Sequence, residues 1–344
     1  MKKLLCLILA LTVVLALAAC GTAAPAVTEA PAEAPAEAPV EAPAEPVVTR
    51  TKTEITVGCG TSSGVGYAAA STIGAILQNE YPNYYTAKPE VTTGGAESLR
   101  LLASGDVILC SAMADDVVAA YNGERGFDTL AGKVRYITSG NMTTIQFFAR
   151  KDVEATSLAD CKGLKIGVAS GTMFNYYWGY ICETYGLTDA DFKSVESIST
   201  KDAAEALKNK QLDVFCAVTA VPNATMQDVG LSDGIKLLTM TDEEIEKIIS
   251  LQPAFQKTTV DAALYSSEGT INNVGVRNVY VCLDTTDYQL VRDWVEAIDT
   301  NNDALKAAHP QAGQYGNHEN VLACQLIPFA DAAQDYYAEI GLIK

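Results

Sequence analysis

The residues best suited to chemistry are hydroxyls grouped with glycines in three short runs. Thr61, Ser62 and Ser63 lie within Gly58-Cys59-Gly60-Thr61-Ser62-Ser63-Gly64; Thr93, Gly94 and Gly95 form a second run, and Ser170, Gly171 and Thr172 a third. Hydroxyls and free backbone N–H groups hold a carboxylate by hydrogen bonds, without a full buried counter-charge. No acid–base catalyst accompanies them. The two histidines, His309 and His318, share a loop-like stretch with Pro310, Gly313 and Gly316, away from any serine elbow or metal spacing. Ser62 and Ser170 have no visible base. The pattern points to recognition of an anion rather than to catalysis, with no metal and no cofactor. The same hydroxyls also serve as ordinary helix caps, and both readings stand at this stage.

The elements that must position these runs are legible around them. Ile55-Thr56-Val57 is a short β-branched strand, Gly58 to Gly66 break the chain, and an Ala-rich helix follows from Tyr67 with Ile73, Ile76 and Leu77 at helical spacing. A strand–loop–helix unit gathers hydroxyls, free N–H groups and the positive helix end at one point. The loop also approaches a dinucleotide fingerprint, but its third glycine falls one place late and the acidic residue after a second strand is missing. A plain packing turn is the other reading. Further strands are expected at Glu90–Thr93, Val107–Cys110, Val134–Ser139, Thr144–Ala149, Leu164–Val168, Asp213–Thr219 and Val279–Leu283, alternating with helices. That alternation predicts an α/β fold with mainly parallel sheets, and ligands in such folds sit beyond the carboxyl ends of strands. Asp115 suits a ligand amine or an N-cap. Tyr67, Tyr177 and Tyr265 are candidate cleft walls; Tyr176, Trp178 and Tyr180 read as mixed core and surface.

Residues 1–19 read as a signal peptide: Lys2 and Lys3, then an apolar run from Leu4 to Leu17. Leu17-Ala18-Ala19-Cys20 resembles the lipobox of bacterial lipoproteins, which implies cleavage before Cys20 and a lipid on it. Residues 20–50 form a tether, with proline at 25, 31, 35, 39, 43 and 46 and glutamate between; it has too little to bury to offset the entropy of ordering. The chain has 24 Lys and Arg against 42 Asp and Glu, a net charge of −18. Loss of the leader removes Lys2 and Lys3 and no acid, which excludes a nucleic-acid partner needing a basic face. Beyond Cys6 and Cys20, seven scattered cysteines remain. They read as buried thiols, with one structural pair possible.

In order along the chain, these loops resemble the TAXI-type solute-binding proteins of TRAP transporters. The resemblance rests on Gly58–Tyr67, Thr92–Gly105, Asp115 with Ala120–Gly123, Leu158–Gly163 with Ser170–Thr172, Asp202–Leu207 with Leu212–Phe215, and Tyr336–Gly341. It covers the chain from about Ile55 onward. It implies a two-lobe type II periplasmic-binding-protein fold with two hinge crossings, near Thr144–Ala149 and Val279–Leu283. One lobe would then be 53–146 plus 282–344, and the other 147–281. It implies a small carboxylate or amino acid, glutamate-like or a dicarboxylate, held between the Thr61–Ser63, Thr93–Gly95 and Ser170–Thr172 loops, with Asn223 closing the second lobe's side. Arg150 and Arg277 flank the hinge, either for a ligand carboxylate or for hinge salt bridges. The partner would be a TRAP-type membrane permease, and the protein would be exported and anchored to the outer face of the cell membrane. The alternatives are a ligand sensor docking on a membrane receptor and an ABC-type uptake binding protein. This sequence departs from the family at Gly66, Met113, Val221-Pro222-Asn223 and Phe329-Ala330, which weakens the transfer of any particular ligand.

Overall fold

The computed structural model describes residues 48–344 apart from Ser63. The leader, Cys20, most of the tether and Ser63 therefore lie outside the described residues. The body begins at Arg50, whose guanidinium donates to both carboxylate oxygens of Asp293 at 2.7 and 3.0 Å and stacks 3.7 Å over the Tyr81 ring. Tyr85 donates to the same carboxylate at 2.7 Å, so a buried acid has a cation and a hydroxyl to itself.

Strands β1 (Thr53–Gly58), β2 (Tyr85–Glu90), β3 (Leu109–Met113), β4 (Val134–Arg150), β5 (Lys165–Ala169), β6 (Ser194–Ile198), β7 (Val214–Thr219), β8 (Ile235–Leu238), β9 (Phe255–Asp261) and β10 (Thr270–Leu283) form a continuous mixed sheet. Its order is β2-β1-β3-β10-β4-β7-β5-β6, with β8 on β4 and β9 on β10. The flanks are parallel: β1 with β2 and β3, and β5 with β6 and β7. The centre is antiparallel, because β4 and β10 run against each other through both halves. Helices α1 (Val65–Glu80), α2 (Gly95–Ser104) and α3 (Ala114–Asn122) belong to the first half. Helices α4 (Trp178–Tyr185), α5 (Thr200–Lys208), α6 (Ala224–Ser232) and α7 (Asp242–Leu251) belong to the second. The chain then returns through β10 to α8 (Tyr288–Thr300), α9 (Asn302–Ala308), α10 (His318–Ala323) and α11 (Asp331–Glu339), which pack on the first half. This is a two-lobe α/β architecture.

Four expectations change. Val134–Ser139 and Thr144–Ala149 are one 17-residue strand, since pairing with β10 continues through Met142, Thr143 and Thr144. Gly140, between the two expected strands, is required by packing: a Cβ there would lie 2.4 Å from the Tyr315 ring. The segments Thr144–Ala149 and Val279–Leu283 lie on adjacent strands but do not oppose each other. Thr144 faces Gly275, whereas Val281 faces Tyr136. The second strand is Tyr85–Glu90, not Glu90–Thr93, because Thr92 is taken up by the neighbouring loop: its N–H donates to Gly60 O at 2.8 Å and its Oγ1 accepts from Gly60 N–H at 3.0 Å. Finally β6 and β9, SVESI and FQKTTVD, carry too many exposed polar residues to read as strands alone; their neighbours' hydrogen bonds make them so.

Under the first half, Trp294, Tyr280 and Tyr315 pack in series, with centroids 5.7 and 4.7 Å apart. The seven cysteines of the described residues are all buried and unpaired. Burial pushes the Cys59 thiol up to about 12, so it packs as a small apolar group, its Sγ–H donating to Val57 O at 2.9 Å.

Candidate functional site

A cavity of about 320 Å³, of a size that suits a small ligand, opens at the carboxyl ends of β1 and β3. The loop after β1 contributes Cys59, Gly60 and Thr61; the start of α1 contributes Gly64, Val65 and Gly66; the start of α2 contributes Gly94 and Gly95. Ser111 and Met113 come from β3, Asn141 and Thr143 from β4, and Asn278 from β10. Ala220, just past β7, reaches in from the second lobe, and His309 follows α9.

Two helix N-termini converge on this space, and neither is capped by a side chain of the described residues. The N-cap residues are Gly64 for α1 and Gly94 for α2. Five other helices are capped in the ordinary way, Ser199 on α5, Asn223 on α6, Thr241 on α7, Asp287 on α8 and Asn317 on α10 each accepting a backbone N–H, while α3, α4, α9 and α11 also begin without a side-chain cap. At the cavity, first-turn N–H groups are left free to meet an acceptor, with two helix dipoles behind them. Sterics also dictate the glycines. Gly94 has φ +147°, a conformation that L side chains rarely adopt, and a Cβ on Gly95 would stand 2.8 Å from Ala112 Cα.

No Lys, Arg, Asp or Glu is among the described residues lining the cavity. What remains are neutral polar groups. Asn141 is only 3% exposed and its Oδ1 is buried without a partner. Leaving such an acceptor unpaired costs about 1–3 kcal/mol, so this oxygen calls for a donor, from a water or from an N–H or O–H of a ligand. Asn278 sits where the β10 register shifts between Arg277 and Val279, an irregularity that re-aims a side chain. Ser111 Oγ shares a hydrogen bond with the Tyr315 hydroxyl at 3.1 Å.

The residues expected from sequence divide into two groups. Thr61, Gly94 and Gly95 line the cavity. Ser62 is exposed beside it but is not in its lining, and Tyr67 packs half-buried against the core. Thr93 turns outward, its N–H and hydroxyl both donating to Glu97, at 2.5 and 2.7 Å. Ser170, Gly171 and Thr172 stand at the end of β5 in the second lobe and do not line the cavity; Ser170 N–H is spent on Ile198 O at 3.1 Å. Asn223 is a helix cap, accepting from Met226 N–H at 3.0 Å while its amide donates to Thr219 Oγ1 at 2.9 Å. Tyr265 is fully buried, donating to Gln146 Oε1 at 2.7 Å and accepting from Asn223 N–H at 2.9 Å, so it braces the second lobe. Neither arginine reaches the cavity. Arg150 pairs with Asp152 and Asp213 at 2.8 and 2.7 Å, and Arg277 donates to Gln256 Oε1 and Gly140 O at 3.0 and 2.9 Å.

Asp115 is not free for a ligand amine. It is 1% exposed and accepts from Arg125 Nη1 at 2.8 Å and from the Tyr177 hydroxyl at 2.6 Å. Asp116, 3% exposed, shares the same Arg125 nitrogen at 2.9 Å. Arg125 also lies 4.1 Å over the Tyr176 ring. The acids and the arginine come from the first lobe and the tyrosines from the second, so this cluster joins the lobes.

Sequence reading missed Ser111, Asn141, Thr143, Asn278 and His309. Asn141 and Asn278 had a signal: single amides inside the apolar strand runs ITSGNMTTIQFF and VGVRNVYV.

A two-lobe sheet with crossing strands, and a cavity at strand ends and helix N-termini, is the architecture of periplasmic solute-binding proteins. The structure is similar to the periplasmic aliphatic sulphonate binding protein SsuA from Escherichia coli: TM-score 0.50, 14% identity, 83% of this chain and 78% of that one covered. It is likewise similar to XAC2383 from Xanthomonas citri, solved bound to ATP: TM-score 0.52, 10% identity, 83% of this chain and 99% of that one covered. At those identities the likeness concerns the fold. The NMT1-like family matches residues 57–341, and the chain belongs to that family.

Proposed function

We propose that this chain is an exported solute-binding lipoprotein of the TAXI type that captures a small organic anion and hands it to a TRAP-type membrane permease. The observation that carries the reading is the pair of uncapped, glycine-started helix N-termini facing a cavity whose described lining holds no formal charge. Such a site suits an anion bound by neutral donors. Net charge opposes its approach, so capture must be local. A carboxylate or an amino acid fits, and the likeness to an aliphatic sulphonate binding protein adds sulfonates to the candidate anions. Among the described residues the arrangement pairs no base with a nucleophile, which supports a binding role. The lobes proposed to close on the ligand are 53–146 with 282–344, and 147–281, bending where β4 and β10 cross.

The test is a thermal-shift screen of the full chain with L-glutamate, succinate, ethanesulfonate and sulfate. An anion present at 100 times its dissociation constant should add about 2.7 kcal/mol, a shift of several degrees. If none of these raises the melting temperature, the anion reading is wrong.

Anchoring rests on Leu17-Ala18-Ala19-Cys20 and the proline-rich tether behind it. Cys20→Ala should move the protein from the membrane fraction to the soluble one. A variant that stays wholly with membranes would remove the lipoprotein reading.

A further inference from the structure

We infer that His309 is a second grip on the ligand and that Gln311, two residues on, ties this grip to the opposite lobe. The inference rests on reading the cavity as the anion site. His309 is half-buried and lines the cavity just past α9. Its Nδ1 accepts the backbone N–H of Gln311 at 3.1 Å. An imidazole whose Nδ1 accepts carries its proton on Nε2, so the ring presents one oriented donor. Nε2 has no partner among the described residues. In a wall without lysine or arginine, a fixed N–H donor is the kind of group that reads an oxyanion. It complements the helix N-termini, which approach from α1 and α2.

Gln311 supplies the link. Its Nε2 donates to Val221 O at 3.0 Å, in the loop that follows β7 in the second lobe. Ala220, the second lobe's contribution to the cavity wall, is the neighbouring residue. The Gln311 Oε1 is buried and unpartnered, so this amide is held in place by the Val221 bond alone on its side-chain end. One three-residue segment, His309-Pro310-Gln311, thus touches the cavity with its first residue and the far lobe with its third. Holding an anion at His309 steadies the segment that holds Val221, and capture and closure become one event. The ligand class is a small organic anion with an acceptor oxygen at the His309 side as well as at the helix ends.

The test uses the full chain labelled with ¹⁵N-histidine, in which only two imidazoles report. His318, paired with Asp299 at 2.5 Å on the surface, is the internal control. The probes are L-glutamate, succinate and ethanesulfonate. On saturation the His309 Nε2 resonance should shift while that of His318 stays. His309→Ala should weaken the bound probe roughly tenfold, the worth of one hydrogen bond to a charged group. His309→Gln, which keeps an N–H donor, should recover most of it, and His318→Ala should change nothing. Gln311→Ala should weaken binding roughly fivefold and enlarge the bound form in X-ray scattering, with the His309 tautomer unchanged. A probe that stabilises the parent and is weakened by Val65→Pro, yet is indifferent to His309→Ala, leaves the anion site standing and overturns the inference. If no probe stabilises the parent, both readings fall.

Discussion

Arg125→Ala is expected to cost the folded protein about 3–5 kcal/mol, the usual price of removing one partner from a buried ion pair. Arg125 Nη1 bridges Asp115 Oδ2 at 2.8 Å and Asp116 Oδ1 at 2.9 Å, and both carboxylates are almost fully buried. Without the guanidinium two acids would face each other with only the Tyr177 hydroxyl for help. The loss should depend on pH. Burial, then the neighbouring Asp115 charge, pushes Asp116 from 3.8 up to about 6 even with Arg125 present. The folded state therefore binds that proton more tightly than the unfolded chain. The stability tied to it is present below about 4 and is lost as pH rises through about 6. With Arg125 gone the shift should grow, so the variant should be weakest above pH 7 and partly restored at pH 5. Asp116→Asn in the same background should recover part of the loss at pH 8. Urea denaturation at pH 5 and pH 8 measures this, and an equal loss at both values would contradict the assignment. Because Tyr176 and Tyr177 come from the other lobe, the same variant should also loosen closure, visible as a larger radius of gyration.

Val65→Pro is expected to weaken the ligand by about 1.5–3 kcal/mol, roughly 10- to 150-fold, with little change in stability. Val65 is the first residue of α1 and lines the cavity. Proline is tolerated at that position because its fixed φ suits the helix and the missing N–H has no intrahelical acceptor. Gly64 already has φ −82° and ψ 156°, the extended conformation that a following proline demands. The substitution thus deletes one donor and alters no charge. Calorimetry on parent and variant, with whichever screened anion binds, gives the comparison. Unchanged affinity with an intact fold would mean that the α1 terminus does not hold the anion.

Several elements were open to reading before any coordinates. The β-branched run at Ile55–Val57, the glycines after it and the Ala-rich helix beyond placed β1 and α1 to within about two residues, because strand and helix differ locally in period and composition. The β7 segment, expected at Asp213–Thr219, was placed in the same way. Long-range partners were not legible. Whether Gly140–Thr143 interrupts a strand or carries it across depends on β10, more than 130 residues away. Asp115 reads as a site residue until Arg125 and Tyr177 are seen to occupy it.

The sequence alone determined the α/β class and the glycine-rich loops that follow the first strand and open the second helix, because backbone period and side-chain chemistry are local properties. Tertiary structure decided which polar groups face the cavity. It spent Thr93 on Glu97, Asn223 on a helix end and Tyr265 on Gln146, and it left the Asn141 Oδ1 and the His309 Nε2 without a partner among the described residues. A polar side chain binds a ligand only when nothing in its own chain has already claimed it, and that is settled by packing between segments far apart in sequence.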